Sequence, residues 1–251
     1  MAAEPPSAQL QREALEKAFR AGNYKDAYEG YRKLALERAA EPRKVGDDLR
    51  MAVQALQNLG RAEEIDGLIE AAVEAHAENW HLLWQAARLY REIPHHGFMV
   101  AGKFQRGDKR GGGAWVNAAD RDRVRALQLM AQARPLALKD DDHATVGSYL
   151  LDFAEMLLSG RGQQEAWRLQ YLTDLGQLPD YEPGWGYHQP SRGAPVDDQG
   201  NPVYHTTPKS FEAAQTDGQR WRWCLEQAAE MTPQIADQVK MQFADFWWNQ
   251  L

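Results

Sequence analysis

Apolar residues recur at spacings of three and four along most of the chain, the pattern of helices that each bury one face. Leu15, Ala18 and Phe19 mark a helix over residues 10–20, and Tyr24, Ala27, Tyr28, Tyr31 and Leu34 mark a second. Glu41-Pro42 opens a third, striped by Leu49, Ala52, Val53 and Leu56, with proline tolerated in the first turn. Ile65, Leu68, Ile69, Ala72 and Val73 make a fourth, and Trp80, Leu83, Trp84, Ala87 and Tyr90 a fifth. Gly22 and Gly60 close helices in similar settings, each followed four positions later by an acidic residue, Asp26 or Glu64. Their spacing is near the period of tetratricopeptide-type helical hairpins.

The pattern then breaks twice. Residues 94–117 hold six glycines, the cations Lys103, Arg106, Lys109 and Arg110, the adjacent His95 and His96, and Trp115. Helical periodicity returns over 120–138 with Val124, Leu127 and Met130, and Asn117 is placed to cap that helix. Asp140 to Asp142 precede a helix striped by Val146, Tyr149, Leu150, Phe153 and Leu157, and Ala166, Leu169 and Leu172 predict another over 164–175. The second interruption, 177–209, is rich in Pro, Gly and aromatics, and 195–204 predicts a short β-hairpin around Gly200-Asn201. Helices resume near Phe211. Trp221, Cys224, Leu225 and Ala228 share a face, and Thr232-Pro233 signals the start of a last helix carrying Ile235, Val239, Phe243 and Phe246. The expectation is an all-α fold, a tetratricopeptide-like stack of antiparallel helical hairpins forming a single domain over 1–251, with two ordered inserts. No hairpin buries its apolar face alone, so neighbours cover one another.

Composition narrows the function. A net charge of -7 on 251 residues argues against a general nucleic-acid binder, because phosphate affinity comes from clustered basic charge. The lone cysteine, Cys224, excludes an internal disulfide framework and a cysteine-built zinc site. No apolar run approaches the ~20 residues that span a bilayer. Four aromatics between Phe243 and Trp248 are unusual where chains normally fray, which suggests a fragment of a longer polypeptide.

Several clusters invite a chemistry. Lys103, Arg106, Lys109 and Arg110, followed by three glycines and Trp115, suit an anionic ligand or RNA. They lack the order of a phosphate-binding loop, so protein docking or pairing with acidic surface is the simpler reading. Adjacent histidines point to different sides of most backbones, and no third ligand stands at a useful spacing from His95 and His96. Asp140 to Asp142 read as a helix cap rather than a cation site. Arg121, Arg123 and Arg125 read as a solvated helix start. Trp185 and Tyr187, in an aromatic loop beginning at Tyr181, suit stacking on a sugar or peptide, or forming the loop's own small core. No nucleophile, base and orienting group occur in a recognisable arrangement, so no enzyme activity and no cofactor are expected.

The stretches KRGGGAWVNAADRDRVRALQLM, LPDYEPGWGY and KSFEAAQTDGQRWRW resemble the N-terminal helical region of large bacterial alpha-2-macroglobulin-like proteins. The resemblance implies a parent that traps or inhibits peptidases in the periplasm or outside the cell. It also implies that this chain is a scaffold for a protein partner or for downstream domains of the same polypeptide. Without it, the chain reads as a free-standing soluble repeat adaptor. That family forms a thioester within a Cys-x-Glu-Gln motif, and Cys224-Leu225-Glu226-Gln227 matches the letters. The spacing places Cys224 on an apolar helix face, where cysteine is ordinarily a small buried hydrophobe. The glycine usual beside the family's cysteine is replaced by Trp223. Cys224 and Gln227 therefore read as helix residues and not as a thioester.

Overall fold

The computed structural model describes residues 7–108, 112–162, 164–184 and 193–249. The chain divides into two compact units, Met1–Leu136 with Pro179–Gly186, and Ala137–Leu178 with Tyr187–Leu251.

The first unit contains α1 (Ala8–Arg20), α2 (Tyr24–Leu36), α3 (Val45–Asn58), α4 (Ile65–Ala75), α5 (Trp80–Glu92) and α6, which runs Ala119–Ala137. The expected stripes are the buried ones. Leu49, Ala52, Val53 and Leu56 of α3 and Ile65, Ile69 and Ala72 of α4 are all essentially inaccessible. Each fully buried aliphatic side chain contributes about 1.5–3 kcal/mol relative to exposure. The turns at Gly22 and Gly60 are the same device. Asn23 N–H donates to the Ala18 carbonyl and Gly22 N–H to Phe19, while Arg61 donates to Leu56 and Gly60 to Gln57. Both glycines take positive φ, 82° and 64°, as this double-bonded helix end requires. Ala27, fully buried, leaves room for close helix packing.

Between α5 and α6 the structure departs from an all-helical fold. The first insert forms β1 (His96–Val100), β2 (Lys103–Arg106) and β3 (Ala114–Asn117), joined by β4 (Glu182–Pro183) from the second insert. The sheet is antiparallel in the order β2-β1-β3-β4, with Phe98 opposite both Gln105 and Trp115. Asn117 ends β3 and its side chain accepts from Ala119 N–H at 2.7 Å, the cap expected for α6.

The second unit contains α7 (His143–Leu158), α8 (Asp217–Met231) and α9 (Ala236–Trp248). Asp142 caps α7 through Thr145 N–H. The helix expected over 164–175 is only a 3-10 turn at Ala166–Gln170. Glu165 takes a left-handed φ of 55°, and Trp167 N–H donates to the Gly193 carbonyl instead of a helical partner. The hairpin expected over 195–204 shrinks to one bridge, Val196 to Pro202, around a turn in which Asp197 accepts from Gln199 and Asn201.

Candidate functional site

The sheet of the first unit sorts the cations of the first insert. Side chains alternate across strands, so Lys103 and Gln105 share a face with Phe98, Val100 and Trp115, while Phe104 and Arg106 occupy the other. Lys103 is exposed. Trp115 is half-buried, with His96 stacked 5.0 Å away and Phe98 edge-on at 4.9 Å. Two of the residues expected to bind a ligand therefore stand on one solvent-side face. Lys109, Arg110, Trp185 and Tyr187 lie outside the described residues.

Arg106 goes inward. It is 3 % exposed and all five of its N–H donors are used. Nε and Nη2 reach Asp66 of α4, Nη1 and Nη2 reach Asp122 of α6, and Nη1 also reaches the Pro94 carbonyl. His95 Nδ1 lies 2.8 Å from the same Asp122. Burial works against the guanidinium, but the bonds to Asp122 and Asp66 outweigh it and hold its pKa above the ordinary value. Burial raises the Asp66 pKa, and the nearby Asp122 and Glu70 charges add to the rise against Arg106. Two carboxylates around one cation raise Arg106, whereas Asp66 rises chiefly because it is taken out of water. Four positions along α4 from Asp66, Glu70 accepts from Arg125 and from the Tyr90 hydroxyl. Burial disfavours that carboxylate, yet those bonds keep its pKa below the ordinary value.

The arginines at the start of α6, expected to be solvated, are therefore partly structural. Arg125 pairs with Glu70, and Arg121 lies 4.7 Å over the Tyr181 ring and donates to the Pro179 carbonyl. Tyr181 stacks on Phe104 at 4.6 Å. His95 and His96 diverge, the second pairing with Asp108 at 3.0 Å. Among the described residues, no group of three or more His, Cys, Asp or Glu is placed to hold a metal ion.

In the second unit Cys224 is fully buried on α8. Gln227 turns outward and donates to Glu230 at 2.8 Å. Asp217, at the start of α8, is also fully buried. It accepts from Arg161 at 2.8 Å and from Thr173 N–H at 3.0 Å. His205 is buried at a left-handed φ of 45°. Its Nε2 makes no hydrogen bond among the described residues. Burial first, then the Arg222 charge, lowers its pKa to about 4.

The surface of this unit carries several large exposed apolar side chains. Trp248 is 78 % exposed, Met241 60 % and Tyr204 58 %. Tyr204 meets the edge of Trp247 at 5.9 Å. Beside them Pro195, Pro202, Val203 and Phe246 help enclose an apolar cavity of about 210 Å3.

No family model matches this chain, and no curated protein or solved structure is significantly similar to it. The case for a function therefore rests on this chemistry. The described helices include none long and apolar enough to cross a membrane. Sequence periodicity pointed to Phe243 and Phe246 as core residues but did not reveal that Tyr204, 43 positions before Trp247, joins it.

Proposed function

We propose that the chain is a non-enzymatic helical scaffold that docks a folded protein domain, with its helices arranged as a stack of tetratricopeptide-like hairpins. The observation that carries the reading is the exposed aromatic pair Tyr204 and Trp247, the second on a helix that also exposes Met241 and Trp248. Tyrosine and tryptophan supply large contact area at low entropic cost and dominate binding energy where proteins meet. The burial of Arg106 supports the same reading, since it turns the most central cation of the first insert into a fold-holding residue. The alpha-2-macroglobulin-like resemblance supplies the partner class: a downstream domain of a peptidase-trapping polypeptide in the periplasm or outside the cell.

The test is isothermal titration of the chain with the β-sandwich domains of a bacterial alpha-2-macroglobulin-like protein. Trp247→Ala/Trp248→Ala is expected to weaken binding by about tenfold or more, as loss of interface aromatics does. Binding that ignores both tryptophans overturns the proposal.

A second reading, an anionic ligand or RNA on the first insert, is favoured by the shared face of Lys103 and Trp115. Quenching of tryptophan fluorescence by polyuridylate, lost in Lys103→Ala/Trp115→Phe, would support it. An absence of quenching at low salt overturns it.

A further inference from the structure

The cavity of about 210 Å3 beside Tyr204 is built from two sides. Pro195 and Phe246 are buried and make its floor, while Pro202, Tyr204 and Trp247 are exposed and make its mouth. The rings of α9 are held from behind. Phe246 packs on Trp221 at 4.7 Å, and Trp247 stacks on Phe243 at 6.3 Å. The facing segment is pinned by the Val196–Pro202 bridge and by the Val203 N–H, which donates to the Pro195 carbonyl at 2.8 Å. Walls fixed before a ligand arrives lower the cost of ordering them on binding.

The walls choose the chemistry of the occupant. None of the described lining residues carries a charge. Pro195 and Pro202 have no backbone N–H. The Val203 N–H is already bonded to Pro195, and the Tyr204 carbonyl accepts from Arg222 at 3.2 Å. A charged group entering here would lose its water and gain no partner. Size narrows the choice further. Pockets for drug-sized ligands start at about 300 Å3, whereas a dry cavity of about 150 Å3 takes benzene. This cavity exceeds the second value by about 60 Å3, room for a few further heavy atoms. Tyr204, Phe246 and Trp247 line it, and contacts between rings stabilise beyond the area they bury. An aromatic occupant is therefore favoured over an aliphatic one of equal size.

We propose that this cavity binds an uncharged aromatic group, a single ring or a fused pair. The inference stands on the cavity walls and not on the docking role, although Tyr204 and Trp247 serve both. Two sources supply such a group: a free small molecule, and an aromatic side chain of a partner.

The test is fluorine NMR titration of 5-fluoroindole with the full chain. Saturable binding with a Kd below about 1 mM is expected, an ordinary affinity for so small a ligand. 5-Fluoroindole-2-carboxylate is expected to bind about tenfold more weakly or worse, because its charge finds no partner. Val203→Trp puts a ring of the chain itself into the cavity and is expected to remove the binding. Should that variant not fold, judged by circular dichroism, Overhauser contacts from the bound indole to the Val203 methyls of the unaltered chain are expected instead. N-acetyltryptophanamide carries the same ring on a peptide backbone. Much weaker binding of it than of fluoroindole assigns the site to a free molecule, and equal or tighter binding assigns it to a partner's side chain. Three results overturn the proposal: no saturation, equal binding of the carboxylate, or binding that neither contacts Val203 nor responds to its replacement. The titration with β-sandwich domains reads a different event, so the two proposals fail separately.

Discussion

Replacing Arg106 with Met measures what the buried ion network does for the first unit. Met keeps much of the volume of the arginine stem and removes the charge and all five donors. Removing one partner of a buried ion pair generally costs about 3–5 kcal/mol, because the other charge stays buried. Here the stranded group is Asp122, 3 % exposed. Asp66 keeps about a third of its side-chain accessibility and regains water, and His95 still contacts Asp122. Both soften the loss, so the expected cost is at the lower end, about 3 kcal/mol. The assay is native-state hydrogen exchange at the sheet amides of residues 97–106 and 114–117. It reads opening of this sheet independently of the second unit. A loss of 3 kcal/mol corresponds to roughly a hundredfold faster exchange. Adding Asp122→Asn to Arg106→Met removes the stranded charge and is expected to restore more than half of the protection. Exchange changed by less than about threefold in Arg106→Met, a shift under 1 kcal/mol, would refute the claim that this arginine holds the sheet to the helices.

Other outcomes follow from the second unit. His205 has a folded pKa of about 4, below its ordinary 6.5, so the unfolded chain binds more protons between those values. Its contribution, on the order of 3 kcal/mol, is therefore present above pH 6.5 and lost as pH falls toward 4. Urea unfolding followed at α8 should show this loss, and His205→Asn, which suits a left-handed backbone, should flatten it. A Cβ on Gly218 would stand 2.4 Å from the His205 ring, so Gly218→Ala should cost about 1–3 kcal/mol by overpacking, read as a lowered urea midpoint. Cys224 should resist thiol labelling in the native chain and react on unfolding. The intact mass should match the sequence, whereas a mass lower by one ammonia that rises by one methylamine on treatment, with a thiol released, would establish a thioester with Gln227.

Much of the helical frame was legible because period and punctuation agreed. Gly22 and Gly60 end helices by the same pair of bonds, and Asp142 begins one as its side chain suggests. Thr232-Pro233 does mark a start, but of a 3-10 turn that the Thr232 side chain does not cap, its hydroxyl donating to the His143 carbonyl instead. The sheet was hidden for a physical reason. Its strands are two to five residues long, the first three interrupted by glycines and cations, and its last member arrives from Glu182–Pro183. No local window contains that pairing. Arg106 reads as a surface charge until Asp66 and Asp122, 40 and 16 positions away, are brought to it. The missing helix at 164–175 is the reverse case. Its apolar spacing is helical, but Leu169 and Ala166 bury themselves from a 3-10 turn whose backbone is tied to Gly193. The exposed aromatic pair joins Tyr204 to Trp247 of α9 across a stretch with no regular period, so only the three-dimensional arrangement reveals it.

The strand that completes the sheet also sets an order of events at the ribosome. Val116 and Asn117 pair with Pro183 and Glu182, so the first unit cannot close until the chain has been made some 65 residues beyond β3. At roughly 5–20 residues per second, Trp115 and Phe104 wait several seconds for the Gly184 amide and the Tyr181 ring that meet them. During that interval α7 is synthesised and available to fold. A nascent chain stalled between Leu158 and Asp180 would expose a three-stranded sheet with an open edge at β3, the species on which a holding chaperone would act.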